Sequence, residues 1–364
     1  MGGTDKRAGE VFHIVDNLST LVKGARPRVF MVELEPMKTR VFIVIPTVRS
    51  LEFLTAWGDE FQECTILIVE DNPQRTISPP RGARGKRILQ YDWSSIEEDF
   101  GENAWIFPRK NAGIRSYGFW KAYSMGADVI VTLDDDCFPA DDGFVQKHLD
   151  NLSARAPEAW FSTFPHPGYL YTRGFPYGVR DKKLVVMSHG LWSNKLDLDA
   201  KTQKAHPNPN IAPYPPIRQH VPVGYYFPMS SMNLAFVRDV VPLMYFPLMG
   251  EDARGNKWGF DRYDDIWAGV FAKKILDHLG LGVVNGSPFV EHKKASNVQA
   301  NLTKERRGMA ANERLWKRVS SVELTQTTVA GCYNELAQTI QFPTTRYFQK
   351  LKEAMVVWIT LFPN

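Results

Sequence analysis

Residues 129–136 read VIVTLDDD, and this stretch decides the fold expected of the chain. Five apolar or β-branched residues in a row are typical of a strand that is buried on both faces of a sheet. The three carboxylates that follow cannot all be buried unpaired without a large cost in free energy. Ligands of open α/β sheets bind at the carboxyl ends of the strands, so we expect this triplet at a binding edge.

The neighbouring sequence repeats the same alternation of strand and helix patterns. Residues 41–45 read VFIVI and residues 65–69 read TILIV, and both are buried-strand patterns. Apolar residues recur at helical spacing over 51–61, 114–125 and 263–275. This order predicts an α/β fold with a mainly parallel central sheet and helices on its faces.

Three segments are expected along the chain. Residues 1–38 have no clear period and are interpreted as an N-terminal extension. Residues 39–300 contain the strand patterns and every candidate site residue, and they are predicted to form the main domain. Residues 301–364 are charged and helical in pattern, with an apolar stretch near the end that is too short to cross a membrane.

Composition excludes several classes of protein. Hydrophobic residues make up 44% and charged residues 23% of the 364, which is typical of a folded globular chain. The net charge of +4 argues against a nucleic-acid binder. The three cysteines indicate neither a disulfide framework nor a cysteine zinc site. Without a signal peptide or a transmembrane segment, the expected location is the cytoplasm.

The acidic triplet is the strongest candidate for a metal site. Alternation along a strand places Asp134 and Asp136 on one side, where two carboxylates can hold a divalent cation. His292 follows another apolar run, and one imidazole with two carboxylates suits Mn²⁺ or Mg²⁺ better than zinc. The alternatives are a solvated acidic turn for the triplet and an exposed side chain for His292.

Other charged residues are candidates for a nucleotide site, each with a simpler alternative. Asp71 ends the second strand pattern and Arg115 begins the next helix, so either is a nucleotide contact or a surface residue. Asp264 and Asp265 open a helix, where one can cap the helix and the other can act as a base. Lys293 can offset diphosphate charge or lie on a wet surface.

Two arginines flank the hexapeptide GFPYGV. Arg173 and Arg180 lie in a loop broken by glycine and proline, a pattern that suggests an anion clamp. A pair of surface salt bridges is the simpler alternative. Residues 229–236 read MSSMNLAF, which is equally consistent with a small-residue acceptor pocket and with a core strand.

Nine strings of residues follow one another in this chain in the same order as in the reversibly glycosylated polypeptides, a family also called UDP-arabinopyranose mutases. The sequence resembles that family over about residues 41–340. The strings are IVIPTVRSLEFL, TLDDDCF, RGFPYGVR, SHGLW, FPMSSMNLAF, MYFPLMG, RYDDIWAG, LDHLGLGV and HKKASN. The resemblance implies a GT-A type nucleotide-sugar fold and a UDP-sugar substrate. It also implies a DxD-like metal site, which Asp134, Asp135 and Asp136 match, with His292 as its histidine.

The resemblance also implies a reaction. Arg173 corresponds to the arginine that the family glycosylates on itself, Arg180 to the second arginine it needs, and Asp71 and Arg115 to the uridine side of the crevice. A guanidinium with a pKa above about 12 is a poor nucleophile, so Asp264 or Asp265 would have to accept its proton. The expected activity is a UDP-sugar mutase, with arabinose as the default sugar and other sugars open.

Two further hypotheses stay open beside the mutase. One is a metal-dependent transferase that moves the sugar of a UDP-sugar to a separate acceptor. The other is a non-catalytic subunit, against which the intact triplet and both arginines argue. A homo-oligomer or a complex with related subunits is the expected assembly.

Overall fold

The structure is a computed structural model. It describes residues 39–80, 87–161, 163, 171–207, 210–211, 217–293 and 297–363. The predicted N-terminal extension over 1–38 lies outside these residues.

Strands and helices alternate along the described chain. The strands are β1 Val41–Thr47, β2 Thr65–Glu70, β3 Arg87–Tyr91, β4 Val129–Leu133, β5 Cys137–Pro139, β6 Arg155–Ala156, β7 Lys183–Lys195, β8 Asn210–Ile211, β9 Arg218–His220, β10 Asn233–Val237 and β11 Gly282–His292. The α-helices are α1 Trp93–Phe100, α2 Arg115–Ser124, α3 Phe144–Leu152, α4 Ala200–Ala205, α5 Asp264–His278, α6 Val298–Ser320, α7 Val329–Thr339 and α8 Arg346–Ile359. None of the helices in the described ranges combines the length and the apolarity that a membrane span requires.

The central sheet has the order β3-β2-β1-β4-β10-β7-β11-β5. Strands β3, β2, β1 and β4 are parallel to one another, so the α/β architecture expected from the sequence is confirmed. The sheet becomes mixed beyond β4, because β10 runs antiparallel to both β4 and β7. The parallel part is therefore the half that the strand patterns of residues 41–133 predict.

The topology brings four chain segments to one edge of the sheet. Asn233 at the start of β10 pairs with Leu133 at the end of β4. Strands β7 and β11 are parallel to each other and run in the direction of β4, so Lys195 and His292 end at that same edge. The acidic triplet, the residues before β10 and the ends of β7 and β11 consequently meet there.

The sheet is buried on both faces. Phe42 and Val44 of β1 belong to one apolar cluster, whereas Ile43 and Ile45 belong to the cluster on the opposite face. Helix α2 lies so close to β1 that a Cβ on Gly118 would be 2.5 Å from Cγ1 of Val44. Burial on both faces explains why these strands read as continuous apolar runs rather than alternating ones.

The C-terminal helices share the first of these clusters. Trp358 and Phe362 are buried in it beside the helices that flank the sheet, so the apolar end of the chain packs in the core. The segment predicted to be helical over 301–364 contains α6, α7 and α8. Its predicted start falls inside α6, which begins at Val298.

The helix expected over 51–61 is a short 3₁₀ helix, Glu52–Trp57. Leu51, Leu54 and Trp57 are buried as their spacing predicts. They recur every three residues, which suits the three-residue turn of a 3₁₀ helix as well as an α-helix. The helix ends at Gly58, whose φ of +43° lies in the left-handed region.

Candidate functional site

A cleft of about 880 Å³ opens at the edge of the sheet where β4, β7 and β11 end. Six of the charged residues and histidines singled out from the sequence line it: Arg115, Asp134, Asp136, Asp264, Asp265 and His292. The other five, Asp71, Asp135, Arg173, Arg180 and Lys293, do not line it. The string over 229–236 is divided, since residues 229–232 line the cleft and β10 begins at Asn233. The cleft wall is rich in carboxylates, to which Asp197, Asp199, Asp261 and Glu305 also contribute.

Arg115 is a buried cation at the floor of the cleft. Its Nη2 donates to Oδ1 of Asp134 at 2.5 Å, and its Nη1 donates to Thr132 and to the carbonyl oxygen of Ser231. The side chain is 1% exposed. A buried guanidinium with three such partners fixes the position of Asp134 and of the segment that precedes β10.

The other two carboxylates of the triplet are held by Arg49 from the end of β1. The Arg49 guanidinium binds Asp135 through two nitrogens, and Thr47 donates a further hydrogen bond to Asp135. Arg49 also donates to Oδ2 of Asp136 at 3.1 Å. Asp135 is therefore committed to neighbours outside the cleft, while Asp134 and Asp136 face it.

Asp136 and His292 leave two polar atoms facing each other. Oδ1 of Asp136 is buried without a hydrogen-bond partner and lies 3.8 Å from Nε2 of His292. Nδ1 of His292 is 3.0 Å from the carbonyl oxygen of Lys195, so Nδ1 must carry the proton and the lone pair of a neutral ring lies on Nε2. An acceptor facing an acceptor is an arrangement that a cation between them would satisfy.

The donor set fits Mn²⁺ or Mg²⁺, although the described residues hold no ready group of three metal ligands. Asp134 is directed towards Arg115 instead of joining Asp136 and His292. Two protein ligands with oxygen ligands from phosphates and water suit these cations, which commonly keep few protein contacts. The carbonyl that orients His292 is a typical outer partner of a metal-binding imidazole.

Asp264 and Asp265 begin α5 and face the cleft from the opposite side. Oδ2 of Asp265 accepts hydrogen bonds from the backbone nitrogen and the hydroxyl of Ser231, both at 3.0 Å. Asp264 is only 4% exposed. Burial, together with the adjacent charge of Asp265, raises the pKa of Asp264 well above its usual range. The pair is consequently suited to hold a proton.

Asp71 does not line the cleft itself, but it binds a residue that does. Its Oδ1 accepts from Nε1 of Trp93 at 2.8 Å, and its Oδ2 accepts from the backbone nitrogen of Asn111 at 2.9 Å. Asn111 in turn lines the cleft and donates to Asp261. Burial raises the pKa of Asp71, although these hydrogen bonds oppose the shift. Asp71 thus holds a cleft segment in place in this structure.

The two arginines of the GFPYGV loop have different surroundings. Arg173 is exposed in a turn. The guanidinium of Arg180 lies 3.9 Å from the ring centroid of Tyr177 and 4.8 Å from that of Tyr171, and it donates to the carbonyl oxygen of Phe175. Arg180 therefore braces the loop, and the structure does not bring either arginine to the cleft wall.

Lys293 follows His292 directly, but its side chain does not line the cleft. Its ammonium is 3.1 Å from Glu291 and 4.3 Å from the centroid of Phe138. Its backbone nitrogen donates to the carbonyl oxygen of Asp136, which ties β11 to the triplet. Lys294, the second lysine of this string, lies outside the described residues.

Several cleft residues escaped sequence reasoning. Lys195 ends the long strand β7 and Asp197 follows it. Arg262 and Lys304 line the cleft as pairs with Glu305 and Asp261. The signal for the first two was the string KLDLD at the end of an apolar strand. The pairs are formed by segments more than 40 residues apart, and no local pattern marks them.

Comparisons with known proteins agree on one family. The family model described as "Reversibly glycosylated polypeptide" matches residues 36–364. The chain is 38% identical over 339 residues to UDP-arabinopyranose mutase 1 of Arabidopsis thaliana, covering 89% of this chain and 92% of that one. It is 37% identical to UDP-arabinopyranose mutase 1 of Oryza sativa subsp. japonica, covering 89% and 90%.

Among solved structures, two matches are distant. Glucosyl-3-phosphoglycerate synthase from Mycobacterium tuberculosis, in complex with Mn²⁺, UDP-glucose and phosphoglyceric acid, matches with a TM-score of 0.44 and 11% identity. The match covers 77% of this chain and 81% of that one. A mycobacterial protein matches with a TM-score of 0.42 and 11% identity, covering 77% and 76%.

Proposed function

Because the chain belongs to the reversibly glycosylated polypeptide family, we propose that it is a UDP-sugar mutase. It interconverts the pyranose and furanose forms of a UDP-linked sugar, with arabinose as the default substrate. The reaction proceeds through reversible glycosylation of Arg173 in the presence of Mn²⁺ or Mg²⁺. Relatives of similar length that carry the mutase name support the reaction class.

One observation carries the assignment of the cleft as the UDP-sugar site. The buried, unpartnered Oδ1 of Asp136 faces Nε2 of His292 beside a group of further carboxylates. A divalent cation at this point would supply positive charge to the diphosphate as it leaves. Four lysines line the same cleft, Lys110, Lys195, Lys204 and Lys304, and they add charge of the sign that a diphosphate requires.

The proposed step exchanges one bond for another. The bond from the anomeric carbon to the diphosphate oxygen breaks, and its electron pair leaves with UDP. A nitrogen of Arg173 forms the new bond to the anomeric carbon and gives its proton to a carboxylate. The sugar changes ring size while it is on the arginine, and the reverse exchange returns it to UDP.

Asp264 and Asp265 are the proposed acceptors of that proton. Both line the cleft, and Asp264 has a raised pKa because of burial and the neighbouring charge. A carboxylate with a raised pKa is a stronger base when it is ionised, which is what proton removal from a guanidinium requires. Asp265, held by Ser231, would keep the pair in position.

The position of Arg173 adds a requirement to this proposal. Since Arg173 is exposed and does not line the cleft, the turn that contains it must move towards the anomeric carbon for the bond to form. The same observation favours the second candidate, a metal-dependent transferase that passes the sugar to a separate acceptor. In that case Arg173 would not carry the sugar.

Intact-mass measurement after incubation with UDP-arabinose and Mn²⁺ separates the two. The mutase proposal predicts the addition of one pentosyl group to the full chain and its loss in Arg173→Ala. The matched control is Arg254→Ala, at an exposed arginine that does not line the cleft, and it should still be labelled. Labelling that persists in Arg173→Ala, or its absence in the unaltered protein, would contradict self-glycosylation at this residue.

We further propose that the protein acts in the cytoplasm and assembles with itself or with related subunits. Its three cysteines are buried and form no disulfide with one another, in keeping with a reducing compartment. The assembly is a prediction that the mass of the protein in solution tests.

A further inference from the structure

A second cavity of about 880 Å³ lies next to the cleft, and the proposed reaction does not use it. The two share Trp192 and Pro228 in their walls. The second cavity lies between the loop after β6 and the segment that connects β9 to β10. Its chemistry differs sharply from that of the cleft.

Charge distinguishes the two cavities. Arg155, Lys183 and Arg218 line the second cavity, and no Asp or Glu among the described residues does. Asp277 and Glu158 act on Lys183 electrostatically from outside the cavity wall, and Asp277 is already bound to Lys273. Whereas the cleft is suited to a cation, the second cavity is suited to an anion.

Aromatic rings are concentrated at the mouth of the second cavity. Trp160 and Tyr225 line it with 49% and 67% of their surface exposed, and Phe161 and Val223 are also large exposed apolar residues of its wall. Exposed aromatic faces beside polar groups provide stacking surfaces for the apolar faces of a sugar ring. Clustering of this kind in a concave site indicates a ligand rather than random surface exposure.

Two buried polar atoms in the wall have no partner. Nε1 of Trp192 and Nδ1 of His220 are both buried and make no hydrogen bond. The neighbouring imidazole of His189, by contrast, is satisfied on both nitrogens by Asn285 and by the backbone nitrogen of Ser230. Buried polar groups are almost always paired, so these two atoms leave hydrogen-bonding capacity unused in side chains that line the cavity.

We propose that this cavity binds an anionic sugar, a carbohydrate that carries a phosphate or a carboxylate. Lys183 and the two arginines neutralise its charge, and the rings at the mouth stack on it. Its shared wall with the cleft makes the site a neighbour of the proposed UDP-sugar site. The proposal does not depend on which reaction takes place in the cleft.

Titration calorimetry on the full chain tests this, with glucose 6-phosphate, glucuronate, glucose and inorganic phosphate as ligands. We expect at least one charged sugar to bind at least about tenfold more tightly than glucose or phosphate, the factor that about 1.4 kcal/mol represents. Binding should persist in saturating UDP and Mn²⁺. Displacement by UDP, equal binding of glucose or phosphate, or no binding of either charged sugar at millimolar concentration would overturn the proposal.

Variants locate the binding. Lys183→Met should weaken the charged sugar at least about tenfold, because it removes a charge-assisted contact. Lys182→Met, at the exposed neighbour outside the cavity wall, is the matched control and should bind normally. Since Lys183 is buried, Tyr225→Ala at the exposed mouth provides a second variant that does not threaten the fold, and it should also weaken binding. Unchanged binding in both variants would contradict the assignment.

Discussion

At the residue scale, Asp136 is the side chain on which the site depends most. One oxygen is bound by Arg49 and the other is buried, unpartnered and directed at His292. An uncompensated carboxylate oxygen of this kind is costly in a folded protein unless a cation binds it. The two groups come from segments 156 residues apart, which only the sheet topology brings together.

Replacing Asp136 should therefore affect metal binding before it affects folding. Asp136→Asn should weaken Mn²⁺ binding in the presence of UDP by at least about tenfold, a loss typical of altered metal sites. Electron paramagnetic resonance of free Mn²⁺ measures this directly. The control is Asp141→Asn, at a half-exposed residue paired with Lys147. Equal Mn²⁺ affinity in Asp136→Asn and the unaltered protein would remove Asp136 from the metal site.

Asp264 gives a prediction for the pH dependence of stability. Because its folded-state pKa is raised, ionisation favours the unfolded chain, and the free energy of unfolding falls as pH rises above the usual aspartate range. Asp264→Asn removes this penalty. Its free energy of unfolding should equal that of the unaltered protein near pH 3 and exceed it by at least about 1 kcal/mol at pH 8, since one pKa unit is about 1.4 kcal/mol.

Urea unfolding at a series of pH values measures this difference. A stability gain that is independent of pH would mean that Asp264 is not protonated on folding. A loss of stability at pH 8 would contradict the raised pKa altogether.

At the element scale, the contact of α2 with β1 sets how closely the Arg115 end of the helix approaches the cleft. A Cβ on Gly118 would lie 2.5 Å from Cγ1 of Val44 and 3.0 Å from Cγ2 of Val69, both in fully buried side chains. Gly118→Ala should destabilise the protein, because overpacking costs about 1–3 kcal/mol. The 2.5 Å approach places the cost in the upper part of that range, above the roughly 1 kcal/mol that alanine gains over glycine in a helix.

The midpoint of urea unfolding checks this prediction. Gly178→Ala is the matched control, since a Cβ there meets no atom within 4 Å, and its midpoint should not change. If Gly118→Ala were as stable as the unaltered protein, helix α2 would have room that the structure does not provide.

The loop that carries Arg173 is braced by Arg180. Arg180→Ala removes a guanidinium that packs on Tyr171 and Tyr177 and donates to Phe175. A cation–π contact is worth about 1 kcal/mol or more, so amide hydrogen exchange within 171–180 should rise several-fold while the melting temperature stays constant. Arg180→Lys keeps the charge without the planar group, so its exchange rates should lie between those of Arg180→Ala and those of the unaltered protein. If amide exchange were unchanged in Arg180→Ala, Arg180 would not stabilise the loop.

At the scale of the whole molecule, the sequence predicts best what is local. The buried strands β1, β2 and β4, predicted from continuous apolar runs, are confirmed. The family that nine ordered strings indicate is confirmed by the family model over residues 36–364. The antiparallel direction of β10 cannot be predicted from its own residues, since the direction of a strand depends on how the preceding loop returns to the sheet. The pairing of Arg49 with the acidic triplet was not predicted either, because it joins the ends of two strands that are distant in sequence.

Site residues follow the same rule. Arg115, Asp134, Asp136 and His292 line the cleft because each ends a strand, follows one or starts a helix at the expected edge. Asp71 and Lys293 occupy comparable positions in the sequence, yet their side chains turn to Trp93 and Glu291. The direction of a side chain depends on partners that are distant in sequence, and neither composition nor spacing identifies those partners.

Chromatography of sugar nucleotides tests the central claim most directly. The full chain is incubated with UDP-arabinopyranose and Mn²⁺, and the pyranose and furanose forms are separated and measured over time. We expect an equilibrium mixture of both forms that is reached from either side, and no conversion by Arg173→Ala. An unchanged UDP-arabinopyranose peak in the unaltered protein, or conversion that continues in Arg173→Ala, would contradict it.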